Sequence, residues 1–206
     1  MKVSEKIFRD MYRQVCLLEN PALAEKINPR AVFDYPPDEK LDGFVVYGYI
    51  DEDAGFSFKI LAGAQISDNR LKIFPASYKK NFVLRRAEVD DAEIKLLAED
   101  YAVAFRDKIQ VINDNFATNP AKEQTRFIKT IDSLRHPNYP DDVLVLFHGE
   151  NFQPEQAWVR CVAVEENLIT GVLLNELRQN FGFTVGDKIV FGVTEIDGEI
   201  FCVIVK

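Results

Sequence analysis

The 206 residues are 47% hydrophobic and include 16 Phe, which is enough apolar side chain for a real core and excludes an intrinsically disordered chain. A net charge of −8 argues against a sequence-independent grip on nucleic acid, which needs a basic footprint. No apolar run reaches the length of a membrane span.

In chain order, residues 1–6 (MKVSEK) are charged from the start and lack the apolar centre of a secretory leader, so no signal peptide is expected. Ile7, Met11 and Val15 recur four apart, with Phe8, Tyr12 and Cys16 beside them. That spacing predicts a helix over 5–19, capped by Ser4. Asn20-Pro21 reads as a second cap with Pro at the first helical position, and a short helix to residue 27 follows. Residues 28–42, with Pro36-Pro37, read as a loop. The segments 43–50 (GFVVYGYI), 56–60 and 71–74 are β-branched, aromatic or alternating, and predict an antiparallel meander.

Ile94, Leu97, Tyr101, Phe105, Ile109, Ile112 and Phe116 then follow in steps of three and four, which predicts one long helix over 91–115. Asn119-Pro120 repeats the cap signal, and Phe127, Ile128, Ile131 and Leu134 stripe a further helix that ends before Pro137. Residues 136–142 (HPNYPDD) read as a linker with Asp141 and Asp142 in solvent. Beyond it come five short strands, with hairpins through 165–167 and through Asp197-Gly198, a strong type I′ signal. The fold class is therefore α+β. N-terminal helices and a small antiparallel meander occupy 1–140, and a five-stranded antiparallel β-rich unit occupies 141–206, with or without a shared core.

Charge separates these two stretches. Residues 141–206 hold eleven acidic and four basic side chains, a balance of −7, and residues 1–140 are left with −1. An acidic surface of this kind suits a basic partner. Trp158 and Arg160 lie two apart on one predicted strand face, the arrangement of an interface anchor. With Glu155, Glu165, Glu166, Glu176 and Glu195 they make up the candidate binding surface.

Chemistry-bearing residues are sparse. The histidines are His136 and His148, and neither stands beside a recognisable nucleophile. The strand-end group of His148, Glu150 and Asp187 is the best place to look for an enzyme site. Cys16, Cys161 and Cys202 form no C-x-x-C pair, sit inside apolar patterns, and point to a reducing cytoplasm. Two isolated histidines and three scattered cysteines make no metal-ligand set, so neither metal nor cofactor is expected. Asp51-Glu52-Asp53 lacks the spacing of a calcium loop and reads as a solvated turn. Lys79, Lys80, Arg85 and Arg86, with Tyr78 and Phe82 among them, form the single basic cluster, the pattern of a single-strand nucleic-acid binder.

Trp158-Val159-Arg160, then Gly171-Val172-Leu173-Leu174-Asn175-Glu176, then Gly186-Asp187 before an apolar strand resemble the YegJ-type domain-of-unknown-function family, over about residues 150–197. The pattern departs at Leu177, where that family has Pro, and at Asp197-Gly198, where it has Asp-Trp. The resemblance implies a small bacterial β-rich domain with no established activity, and it supplies no catalytic residue. The sequence thus reads as a cytoplasmic protein-interaction module, immunity-like or regulatory, working through an acidic face. An enzyme near His148 and Glu150 is the alternative, and a nucleic-acid binder using residues 79–86 is the third.

Overall fold

The computed structural model describes residues 1–27, 33, 36, 39–67, 70–76 and 82–205. Most of the expected 28–42 loop, and Tyr78, Lys79 and Lys80 of the basic cluster, lie outside the described residues. The chain is α+β and divides into two compact units, Met1–Ala117 and Thr118–Lys206. Residues 118–140 add four basic and two acidic side chains to the C-terminal stretch, so the second unit carries −5 and the first −3.

The first unit is built on a six-stranded antiparallel sheet in the order β4-β3-β2-β1-β6, with β5 also pairing β3. Its strands are β1 (Val15–Glu19), β2 (Gly43–Asp51), β3 (Gly55–Ser67), β4 (Arg70–Pro75), β5 (Val83–Arg85) and β6 (Glu93–Leu96). The expected helix over 5–19 is not formed. Two 3₁₀ turns, Val3–Glu5 and Phe8–Asp10, lead instead into β1. The reason is that both faces of the sheet are covered. Cys16 and Leu18 enter one core, and Val15 and Leu17 enter the core on the opposite face. A fully buried strand uses every apolar residue of a short run, whereas a surface helix uses only a stripe of it.

The long helix expected over 91–115 is divided because its start is taken up by edge pairing with β1. Its first residues form β6, where Ile94 pairs with Leu18 and joins the core on that strand's far side. Two helices follow, α2 (Glu99–Ala104) and α3 (Arg106–Asn115); α1 is the short helix Pro21–Lys26. The remainder of the stripe packs on the sheet as its spacing implies. Leu97, Tyr101, Phe105, Ile109 and Ile112 share the second core with Val45, Tyr47 and Leu61, and the Phe116 ring lies 4.3 Å from that of Tyr49.

The second unit begins with α4 (Pro120–Arg126), and both Asn-Pro caps form as expected: Asn20 Oδ1 accepts from Leu23 N at 3.0 Å and Asn119 Oδ1 from Lys122 N at 2.8 Å. A 3₁₀ turn, Lys129–Leu134, stands where further helix was expected. Five strands then close into a barrel: β7 (Asp142–Gly149), β8 (Phe152–Glu165), β9 (Leu168–Leu173), β10 (Lys188–Ile196) and β11 (Glu199–Ile204). The barrel is mixed, not purely antiparallel, because β11 pairs β7 in parallel at Cys202–Val145 and Val203–Leu146. An up-and-down run of five strands starts and ends in the same direction, so closing it requires one parallel seam. Inward-facing Val145, Phe147, Val159, Ile169, Leu173, Phe191 and Ile204 fill the interior. Both hairpins turn with positive φ at their two central residues, Glu166 and Asn167 at 46° and 70°, Asp197 and Gly198 at 52° and 83°. That is the type I′ geometry, which matches the strand twist.

Candidate functional site

Apart from the basic cluster, the sites proposed from sequence lie on the barrel unit, and the register of its strands decides which of them meet. Trp158 stands on β8 opposite Leu144, half-buried, its indole in a T-shaped contact with the His136 ring at 5.1 Å between centroids. Its backbone N–H donates to Asn175 Oδ1 at 2.7 Å. Arg160, on the same strand face, forks onto its cross-strand partner Asp142 through Nε–Oδ1 at 2.7 Å and Nη2–Oδ2 at 3.0 Å. Both residues of the expected anchor thus have partners within the barrel.

The five glutamates separate into two groups. Glu155 and Glu176 meet in an open polar cavity of about 470 Å³ lined by Pro154, Glu155, Gln156, Asn175, Glu176 and Arg178. Glu155 Oε1 accepts from Arg178 N at 2.7 Å, while its Oε2 is buried without a hydrogen-bond partner among the described residues. Glu165 and Glu166 stand at the β8–β9 turn, ten positions along the strand from Glu155, or up to about 33 Å in extended chain. Glu195 lies near the tip of the β10–β11 hairpin, at the same end of the barrel. Strand alternation turns it to the side of Val193, away from Ile196.

Asp141 and Asp142 are buried, not solvated. Arg126 Nε and Nη2 donate to the two oxygens of Asp141, each at 2.8 Å, with Lys122 Nζ at 3.4 Å and Glu123 pairing Arg126 Nη1 at 2.9 Å. Burial pushes the Asp141 carboxyl upward. The Arg126 hydrogen bonds and charge, aided by Lys122, outweigh it and hold the group below its ordinary value. Arg135 donates to the carbonyls of Pro140 and Thr125, each at 2.6 Å, and pairs with Asp132. The bases that 118–140 contribute are therefore largely spent inside the unit. Glu165, Glu166, Glu195, Asp197 and Glu199 are exposed and have no ion-pair partner among the described residues.

The proposed catalytic group does not assemble around a nucleophile. His148 and Glu150 are exposed, and the His148 ring makes no side-chain hydrogen bond among the described residues. Asp187 Oδ2 accepts from Thr184 N at 2.7 Å and Thr184 Oγ1 at 3.0 Å, which closes the turn before β10. Burial pushes the thiols of Cys16, Cys161 and Cys202 up to about 12, so they stay protonated and weakly nucleophilic at neutral pH. No group of three or more His, Cys, Asp or Glu among the described residues could hold a metal ion.

Of the basic cluster, the described residues are largely tied to the fold of the first unit. Phe82 packs on its core. Arg85 Nη1 donates to Ser57 Oγ at 2.6 Å and Asp51 Oδ2 at 3.2 Å, and buried Arg86 donates to the carbonyls of Val3 and Lys6. Asp51 also accepts from Asp53 N and Ala54 N through Oδ1, so this carboxylate shapes its own turn.

One surface escaped the sequence reading. Leu168, Val190 and Val205 are exposed at 40%, 41% and 48% on the outward wall of the barrel. The signal was present: residues 189–193 and 200–205 are apolar in both strand phases, and a barrel interior needs only one phase.

No protein family, no curated protein and no solved structure matches the chain. No helix among the described residues is long and apolar enough to cross a membrane.

Proposed function

We propose that the chain is a non-catalytic protein-interaction module, immunity-like or regulatory in kind, whose acidic barrel unit holds a basic protein partner. The observation that carries this reading is the division of charge within the barrel. Four of its bases, Lys122, Arg126, Arg135 and Arg160, are drawn into pairs with Asp141, Asp132, Asp142 and Glu123, while Glu165, Glu166, Glu195, Asp197 and Glu199 stand exposed at one end with no ion pair among the described residues. Unpaired surface charge of one sign steers an oppositely charged partner and speeds encounter. The YegJ-type resemblance fits such a module. The residues that carry it serve the barrel: Asn175 caps the Trp158 N–H, and a Cβ on Gly171 would lie 2.4 Å from Val159 Cγ1. Three free, buried cysteines support a reducing, cytoplasmic setting.

The test is capture from a lysate of the source organism on the immobilised full chain, at low and high salt. The wild type is compared with a triple variant, Glu165→Gln, Glu166→Gln and Glu195→Gln. The expected result is that basic proteins bind the wild type at low salt, release as salt screens charges over about 10 Å at 0.1 M, and fail to bind the triple variant. Equal capture by both proteins at both salt levels leaves the acidic end with a solubility role only.

A further inference from the structure

The outward wall of β9, β10 and β11 carries a surface that the charge argument alone does not describe. Leu168 pairs across the sheet with Gly192, Gly192 pairs with Val203, and Val205 N donates to the Val190 carbonyl at 2.9 Å. Alternation puts these five residues on one face, opposite the buried Ile169, Ile189, Phe191, Cys202 and Ile204. Gly192 leaves a gap in the wall. A Cβ built there would meet only Leu168 Cδ2 at 3.5 Å and Val205 Cγ2 at 3.9 Å, both ordinary van der Waals contacts. The glycine is thus the floor of a shallow slot whose sides are Leu168 and Val205. Val190 extends the apolar surface away from the hairpin end, and Ile196, 45% exposed on the same strand face, extends it toward that end.

Charge is distributed unevenly round this slot. Glu165 is the cross-strand neighbour of Leu168, Glu199 that of Ile196, and Glu166 forms the turn between β8 and β9. Lys188, opposite Val172, stands at the other end of the same face. A second copy of this chain would bring a like-charged rim against this one, which opposes self-association there. A segment with basic residues flanking an apolar side chain meets both the slot and its rim, the apolar-centre, polar-edge anatomy of a protein interface.

We propose that this face docks a basic, amphipathic segment of a partner protein, which places one large apolar side chain over Gly192 and its Lys or Arg side chains against Glu165, Glu166 and Glu199. The assignment rests on the interaction reading above and narrows it to one face and one partner chemistry.

The probe is a synthetic peptide of alternating Lys and Ser with a single central Phe, titrated into the ¹⁵N-labelled full chain. Backbone shifts should centre on Leu168, Val190, Gly192 and Val205. Replacing the peptide's Phe by Ser should weaken binding about tenfold, the equivalent of about 1.4 kcal/mol. Gly192→Leu, which fills the slot from a position with room for a Cβ, should weaken the Phe peptide by a similar factor. Val190→Lys gives the same readout from a residue already in solvent, should the first variant misfold. Glu165→Gln/Glu166→Gln/Glu199→Gln should abolish the salt dependence. If the slot variants bind like wild type while the glutamine variant does not, the slot is overturned and the acidic reading stands. If neither class weakens binding, both fall. A wild-type dimer that Gly192→Leu dissociates in sedimentation would make the occupant a second copy and overturn the proposal.

Discussion

The two units solve the same burial problem with different geometries. In the first, an open sheet is covered on both faces: residues of the 3₁₀ turns and α1 lie on one side and those of α2 and α3 on the other. Its central strand β2 is therefore buried along nearly its whole length, with eight consecutive residues buried. In the second, the barrel encloses its own core and leaves an outer wall that the core does not need. That wall holds the Arg160–Asp142 pair and the apolar slot at Gly192. A sheet sandwiched between two layers has few positions to spare for recognition, whereas a closed barrel has a whole surface.

The buried arginines test that contrast most strongly. Arg126→Ala should destabilise the barrel by about 3–5 kcal/mol, because it strands the buried Asp141 charge. Arg86→Met in the first unit, which loses hydrogen bonds to two carbonyls, should cost less, about 1–3 kcal/mol. Denaturant melts of the full chain, read by Trp158 fluorescence for the barrel and by hydrogen exchange for the sheet, compare them. Equal losses would mean that the Asp141 network is no more than a set of neutral hydrogen bonds.

Packing beneath α3 comes next. Ile112 is buried and Leu97 half-buried, so Ile112→Ala should cost about 2–5 kcal/mol and Leu97→Ala about 1. A larger loss at Leu97 than at Ile112 would place the centre of that core at the strand–helix junction.

Acid sharpens the comparison further. The folded pKa of Asp141 lies below its ordinary value of 3.8. Its stabilising contribution is therefore complete above that value and is lost as pH falls through the lower, folded one. Barrel melting temperatures should drop below about pH 4, and Asp141→Asn should remove that part of the dependence. An unchanged acid profile in the variant would assign the drop to other carboxylates.

The smallest effect belongs to Glu155. Gln at this position keeps an oxygen for the Arg178 N–H and replaces a buried, unpartnered charged oxygen by a neutral amide group, so Glu155→Gln should change stability by no more than about 1 kcal/mol, in the stabilising direction. A clear destabilisation would show that the carboxylate has a cationic partner in solution.

Some of this protein was decided within a few residues of chain. The two Asn-Pro caps, the Glu166-Asn167 and Asp197-Gly198 turns, the alternation of the barrel strands and the apolar stripe from Leu97 to Ile112 are local properties. They depend on backbone geometry and side-chain period, and all of them are found where the sequence places them. The charge excess of the C-terminal stretch was legible in the same way. The tertiary structure decided the rest. Val15–Glu19 is a strand because it lies between two covered faces, and Glu93–Leu96 because it pairs with Val15–Glu19 at the sheet edge; no window of sequence reports either neighbour. Asp141 and Asp142 look solvated beside Pro140, yet residues 15 and 18 positions away bury and pair them. The parallel seam between β7 and β11, the separation of Glu155 and Glu176 from Glu165, Glu166 and Glu195, and the slot over Gly192 all follow from strand register round a closed ring. Register is a relation between distant segments, and only the folded chain supplies it.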